Sequence, residues 1–314
     1  GGEYDTDDCY GALNTYKLIR DNSPDTDLHF VYGPWTHGGW HNADYEGLGD
    51  RKFGENLSQY FMEKIEYPFF RYYLEGKGKR LEPVYLYASG SDHWQVLEKW
   101  PEDDIVYTPL YLSEDKSLSF DQPVELQSSA TYISNPLSPV PFMEDASRRD
   151  NSYMVADQSF ASKRSDVLTY ASPILNETLK LQGPLHVKLD LAITSEDADI
   201  VVKFIDVHPD GYQMLVRGDV FPIRYRYGYD RPVKANPGEV MHIEFTMNDI
   251  AHWVLPGHQM MIQVQSSWFP LVNLNPQTYL TNIYKADRED YISSEVTVLH
   301  QQDAPSHIVI PIVR

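Results

Sequence analysis

From about Leu81 to the C-terminus, apolar residues recur at every second position, and that period limits what this chain can fold into. Val187, Leu189, Leu191 and Ile193 would share one face of an extended segment, with His186, Lys188 and Asp190 on the other. Met241, Ile243, Phe245 and Met247 repeat the pattern, as do Ile308, Ile310 and Ile312. Successive side chains on a strand point to opposite faces, so each run reads as a strand buried on one side. Turn signals such as His208-Pro209-Asp210-Gly211, Asn236-Pro237-Gly238 and Pro256-Gly257 separate the runs. No helix-length pattern interrupts them. The expectation is a mainly β protein whose residues 81–314 form a jelly-roll β-sandwich.

The first 80 residues read differently. Tyr10–Arg20 is predicted helical, with Asp7 and Asp8 at the end where acids suit the helix dipole. Leu28–Tyr32 is a short apolar strand running into Gly33-Pro34-Trp35. A second helix is expected from about Phe53, because Phe53, Leu57, Phe61 and Ile65 recur at four-residue spacing, and Pro68 should kink or end it. Glu75–Arg80 then reads as a flexible linker and the domain boundary. One complete strand cannot make a doubly wound sheet, which needs several parallel strands covered on both faces. The sequence therefore predicts that 1–80 is the C-terminal remnant of an α/β-hydrolase domain, in a truncated or split protein.

Charge narrows the partners. With 46 acidic against 26 basic residues the net charge is -20, a field that repels nucleic acid and mainly keeps the surface solvated. No apolar run reaches bilayer-spanning length, so no membrane contact is expected. The single cysteine, Cys9, rules out an internal disulfide framework and a cysteine-based zinc site. The sequence assigns no compartment.

Asp5 falls at a strand end and His37 in a loop, one helix and one strand further on. In α/β-hydrolases the triad runs Ser, Asp or Glu, then His, the last two at the ends of neighbouring strands. An Asp so placed would fix the imidazole tautomer, and the free ring nitrogen would take the serine proton. Taken alone, the pair reads more readily as structural or surface residues than as catalytic ones.

The neighbouring residues add to this. Gly1-Gly2-Glu3-Tyr4-Asp5-Thr6-Asp7-Asp8 and Gly33-Pro34-Trp35-Thr36-His37-Gly38-Gly39-Trp40 resemble the serine-hydrolase family of α-amino acid ester hydrolases, glutaryl acylases, cocaine esterase and X-Pro dipeptidyl peptidases. The resemblance extends through Asn135–Pro141, Val201–Val207, Met214–Asp219 and Gln265–Leu271, which look like that family's C-terminal jelly roll. It implies that Asp5 and His37 are the triad acid and base. It also implies that Asp7 and Asp8 help bind a substrate α-ammonium group. The alternative for these two is an ordinary pair of helix-start acids, worth about 0.3–1 kcal/mol each. Glu3 departs from the family, which usually has tryptophan there.

No Gly-x-Ser-x-Gly occurs in the chain, so the nucleophile is expected outside it and the fragment alone is expected to be inactive. Ser89 and Ser91 read as turn residues. His29, His41, His93, His208, His252 and His258 show no ligand spacing, and Asp21, Asp25 and Asp27 lack the pattern of a calcium loop. No metal and no cofactor are expected. Trp268 and Phe269 are candidates for the pocket wall or for packing between the two domains. The expected partners are a small ester or amide substrate, the missing N-terminal catalytic portion and a second copy of the chain. The alternative function is a non-catalytic jelly-roll module that binds through its loops.

Overall fold

The computed structural model describes all 314 residues. Helix α1 spans Cys9–Asn22, and strand β1, Phe30–Tyr32, follows it. A long helical stretch then runs through three consecutive segments, Leu57–Tyr60, Phe61–Glu66 and Tyr67–Glu75. The Asn56 side chain caps its start by accepting the Ser58 and Gln59 amides, so Phe53 lies ahead of the helix rather than inside it. Pro68 does not end it. The middle segment is a π-helix, and Pro68 sits in the first turn of the segment after it. A wider turn just upstream relieves the missing N–H and the ring clash that proline brings to a regular helix.

Strands β2, Val84–Ala88, and β3, His93–Leu97, come next. β2 pairs parallel with β1, with Phe30 opposite Val84, and antiparallel with β3. The boundary expected after Arg80 therefore falls inside this layer, whose sheet continues to Leu97. The Glu75–Arg80 stretch is anchored as well, since Arg80 and Tyr73 both donate to Asp27.

The remaining main strands are β4 Ile105–Leu112, β5 Ser129–Ser134, β6 Leu168–Ala171, β7 Leu179–Ile193, β8 Asp199–Val207, β9 Gln213–Pro222, β10 Met241–Val254, β11 Gln259–Gln265, β12 Ser294–Gln301 and β13 His307–Val313. They make a β-sandwich. An eight-stranded sheet is built around β7, which pairs with β10, β12 and β13. The facing four-stranded sheet runs β9-β8-β11-β6. The alternation read from the sequence is the observed one on β7: Val187, Leu189, Leu191 and Ile193 are buried and His186, Lys188 and Asp190 are not.

The two parts share one core. Tyr4, Trp35, Tyr45, Phe53 and Tyr87 belong to the same buried cluster as the inward residues of β7, β8 and β10. On the outer side of the smaller sheet, Trp268 packs with Phe142, Tyr153, Val201 and Leu215. The Lys203 ammonium reaches over the Trp268 ring and donates to Gln158 Oε1 at 2.8 Å, and burial pulls its pKa down to about 7.

Candidate active site

Two glycine-led segments lock together at the start of the chain. Glu3 N–H donates to the Gly33 carbonyl at 2.7 Å, and Tyr4 N–H to the Trp35 carbonyl at 3.1 Å. A Cβ on Gly2 would lie 2.3 Å from the Trp35 carbonyl oxygen, and one on Gly33 would enter the Trp35 ring at the same distance. Both positions thus need glycine for close approach. The result sets residue 5 beside residue 37. Asp5 Oδ1 accepts the amides of Asp7 at 2.9 Å and Asp8 at 3.0 Å, which fixes the carboxylate. Its Oδ2 accepts from His37 Nδ1 at 3.1 Å.

Burial divides the pair usefully. Asp5 is buried, while the His37 side chain is 62% exposed. A neutral imidazole held at Nδ1 by a fixed carboxylate carries its proton there and leaves Nε2 as the acceptor nitrogen. The Thr36 amide, one residue earlier, donates to the buried Tyr45 hydroxyl at 2.8 Å and steadies the loop.

The two other acids diverge. Asp7 lies beside Asp5 and His37, and Arg149 donates to both its carboxylate at 2.9 Å and the Thr6 hydroxyl at 3.0 Å. Asp8 instead borders a groove of about 480 Å³ formed with Gly1, Gly11, Tyr16, Phe30 and Trp40. It occupies the N-cap position of α1, but its side chain makes no capping bond. Arg149 is more than a hundred residues away in sequence, and nothing near Asp7 signalled it. Trp268 packs in the outer sandwich core with Phe142 and Tyr153. Phe269 is exposed and its backbone pairs with Val140 and Phe142.

Glu3 is buried behind the pair, with Arg217 from β9 donating to its main-chain carbonyl at 3.2 Å. Burial raises the Glu3 carboxyl to about 7, against the opposing pull of Arg217 and the Ala251 amide. The folded chain therefore holds a proton here that the unfolded chain gives up near pH 4.5, and stability falls as pH rises from about 4.5 to 7. Glu3→Gln should flatten that slope and gain on the order of 3 kcal/mol at pH 8. Urea melts at pH 5 and pH 8 measure it; an equal loss of stability at both would refute it.

A second Ser–His–Asp row lies deeper. Ser89 Oγ is 2.8 Å from His252 Nδ1, and His252 Nε2 donates to Asp206 Oδ2 at 3.0 Å. The ring is reversed relative to a catalytic histidine, which presents Nε2 to the serine. All three side chains are sealed from solvent, so no substrate reaches Ser89. Instead the row joins β2 to β10, where Ser89 N–H and C=O bond to Ala251 and Trp253. Reading Ser89 as a turn residue and His252 as unconnected is corrected, because strand pairing across the two layers was invisible in the sequence. Ser91, which donates to the Ala88 carbonyl, is the turn residue. His29 and His41 hydrogen-bond Tyr73 and Glu66.

Residues 68–309 match the family described as the X-Pro dipeptidyl-peptidase C-terminal non-catalytic domain. The chain belongs to this family. Asp5 and His37 both precede the matched stretch of that C-terminal domain. A crystal structure of an aminopeptidase from the marine sediment archaeon Thaumarchaeota archaeon superposes with a TM-score of 0.95 at 33% identity, covering 100% of this chain and 54% of that one. An α-amino acid ester hydrolase structure gives 0.93 at 34% identity, covering 99% and 54%. Cocaine esterase of Rhodococcus sp. (strain MB1 Bresler) is 28% identical over 320 residues, 96% of this chain and 54% of its own length. The chain thus spans about half the length of these relatives, and it is the C-terminal type of part in the CocE/NonD esterase and peptidase family. A Staphylococcus aureus CocE/NonD family hydrolase, 13% identical with a TM-score of 0.64, shares the fold.

Proposed function

We propose that Asp5 and His37 are the acid and base of a Ser–His–Asp acyl-transfer centre whose serine is carried by a segment outside these 314 residues. The observation that carries this reading is the 3.1 Å bond from exposed His37 to buried Asp5. The similarity to an aminopeptidase, an α-amino acid ester hydrolase and a cocaine esterase supports esters or amides of α-amino or small acyl groups as substrates. In that reaction His37 Nε2 takes the serine proton as the serine oxygen bonds to the carbonyl carbon. Asp5 stabilises the imidazolium, and His37 then protonates the departing alcohol or amine. Water, activated by the same ring, releases the acyl group.

Asp7 is the acid placed to meet a substrate ammonium, which would exchange with Arg149. Asp8, turned to the α1 groove, is not. That groove, beside the Gly1–Glu3 stub that pairs with the outer edge of β1, is the surface proposed to receive the serine-bearing segment. The chain alone should not hydrolyse an activated ester such as p-nitrophenyl acetate above the buffer rate. Joined to a serine-bearing catalytic segment of its relatives' type, it should. Turnover by the purified chain itself, free of contaminating esterase, would refute the division of labour.

A further inference from the structure

At the far end of the smaller sheet, β8 and β11 are antiparallel neighbours with Val207 opposite Gln259. One step beyond that pair, His208 and His258 lie against each other, their ring centroids 4.6 Å apart and their planes tilted by 41°. Asp206 lies two residues before His208 at the same strand end, so its side chain projects to the same side. One ligand atom from each of Asp206, His208 and His258 falls within 4.8 Å of the others.

We propose that Asp206, His208 and His258 form a site for a divalent transition ion of the Zn²⁺ type, separate from the Asp5–His37 pair. Two imidazoles and one carboxylate are a donor set that suits this ion and leave a fourth position for water. In a tetrahedral site with bonds near 2.0–2.1 Å, neighbouring ligand atoms sit about 3.3 Å apart. Here the two imidazoles approach different oxygens of the carboxylate, His258 Nδ1 at 2.8 Å from Oδ1 and His208 Nε2 at 3.7 Å from Oδ2, and one ligand atom from each of the three residues lies within 4.8 Å of the others. Small rotations of the two rings would bring all three onto one ion.

The carboxylate is also braced from behind. The buried His252 ring donates Nε2–H to Asp206 Oδ2, the kind of outer contact that orients a metal ligand. Exposure rises from Asp206, which is sealed, through His258 at 12% to His208 at 22%, so the three converge toward an opening. Arg51 stands close enough to His208 to be felt there, but its charge is matched by an ion pair with Asp92, while Asp210 adds a carboxylate.

The test is equilibrium dialysis of the whole chain against ZnCl₂, with Co²⁺ absorption in the visible as an independent readout of coordination. Wild type should take up one ion per chain and give the intense spectrum of a four-coordinate Co²⁺ site. His208→Ala should weaken uptake by more than about 10–100-fold, the scale for disturbing only an outer partner of a ligand. His258→Gln, whose amide can still donate to Asp206 and so preserve the fold, should do the same. His37→Ala should leave uptake unchanged. No stoichiometric uptake, or uptake abolished by His37→Ala and indifferent to His208→Ala and His258→Gln, overturns the proposal.

Discussion

In an assembly that carries the serine, His37→Ala should lower kcat by about 10⁶-fold, the scale seen when a triad histidine is removed from a serine protease. Its ring is mostly exposed and makes one hydrogen bond, to Asp5, so the fold should be unchanged by its loss. Asp5→Asn should lower kcat by about 10⁴-fold for a different reason. The amide oxygen can still accept the amides of Asp7 and Asp8. Its NH₂ then faces His37 Nδ1, which must accept, so the ring proton moves to Nε2 and the base is lost. KM should stay within a few-fold for both variants, because neither group binds the ground-state substrate. Steady-state kinetics on an activated ester measures both, and losses under tenfold would remove the pair from the chemistry.

Asp206→Ala should destabilise the chain by about 1–3 kcal/mol, the cost of leaving a buried donor unsatisfied. Asp206 receives hydrogen bonds from His252 at 3.0 Å and His258 at 2.8 Å. Without it the His252 Nε2–H, sealed from water between the two layers, has no acceptor. The Ser89–His252 contact that ties β2 to β10 would loosen with it. Ser91→Ala, a single turn bond at the surface of the same layer, should stay within about 0.5 kcal/mol. Urea unfolding of the two variants decides the matter. A loss below 1 kcal/mol at Asp206 would show that the row is incidental to the seam.

How much of this was legible in the sequence depends on the range of each interaction. The sandwich strands were, because a period of two on β7 or β13 is a local signal that burial on one face enforces. The helix continues through Pro68 without a signal in the sequence, since a π turn that accommodates proline leaves no compositional mark. The extent of the first layer is not legible, because β2 pairs parallel with β1 across more than fifty residues, and parallel partners cannot be told from a strand's own residues. The closeness of Asp5 and His37 is legible in their flanking glycine and tryptophan motifs, which the structure explains as close-approach positions. Arg149 on Asp7, Arg217 behind Glu3 and the Asp206–His208–His258 group all arise from contacts between distant strands. An Asp-x-His at one strand end becomes a signal only once the register brings a second histidine opposite.

The division between this chain and its serine is best tested with a fluorophosphonate probe and peptide mapping by mass spectrometry. The expected result is no label on any serine of residues 1–314 in the isolated chain, sealed Ser89 included. In the joined protein the label should fall on one serine of the added segment, at a rate cut at least a thousandfold by His37→Ala. Rapid, stoichiometric labelling of a serine within the isolated chain, or labelling of the joined protein indifferent to His37, would contradict it.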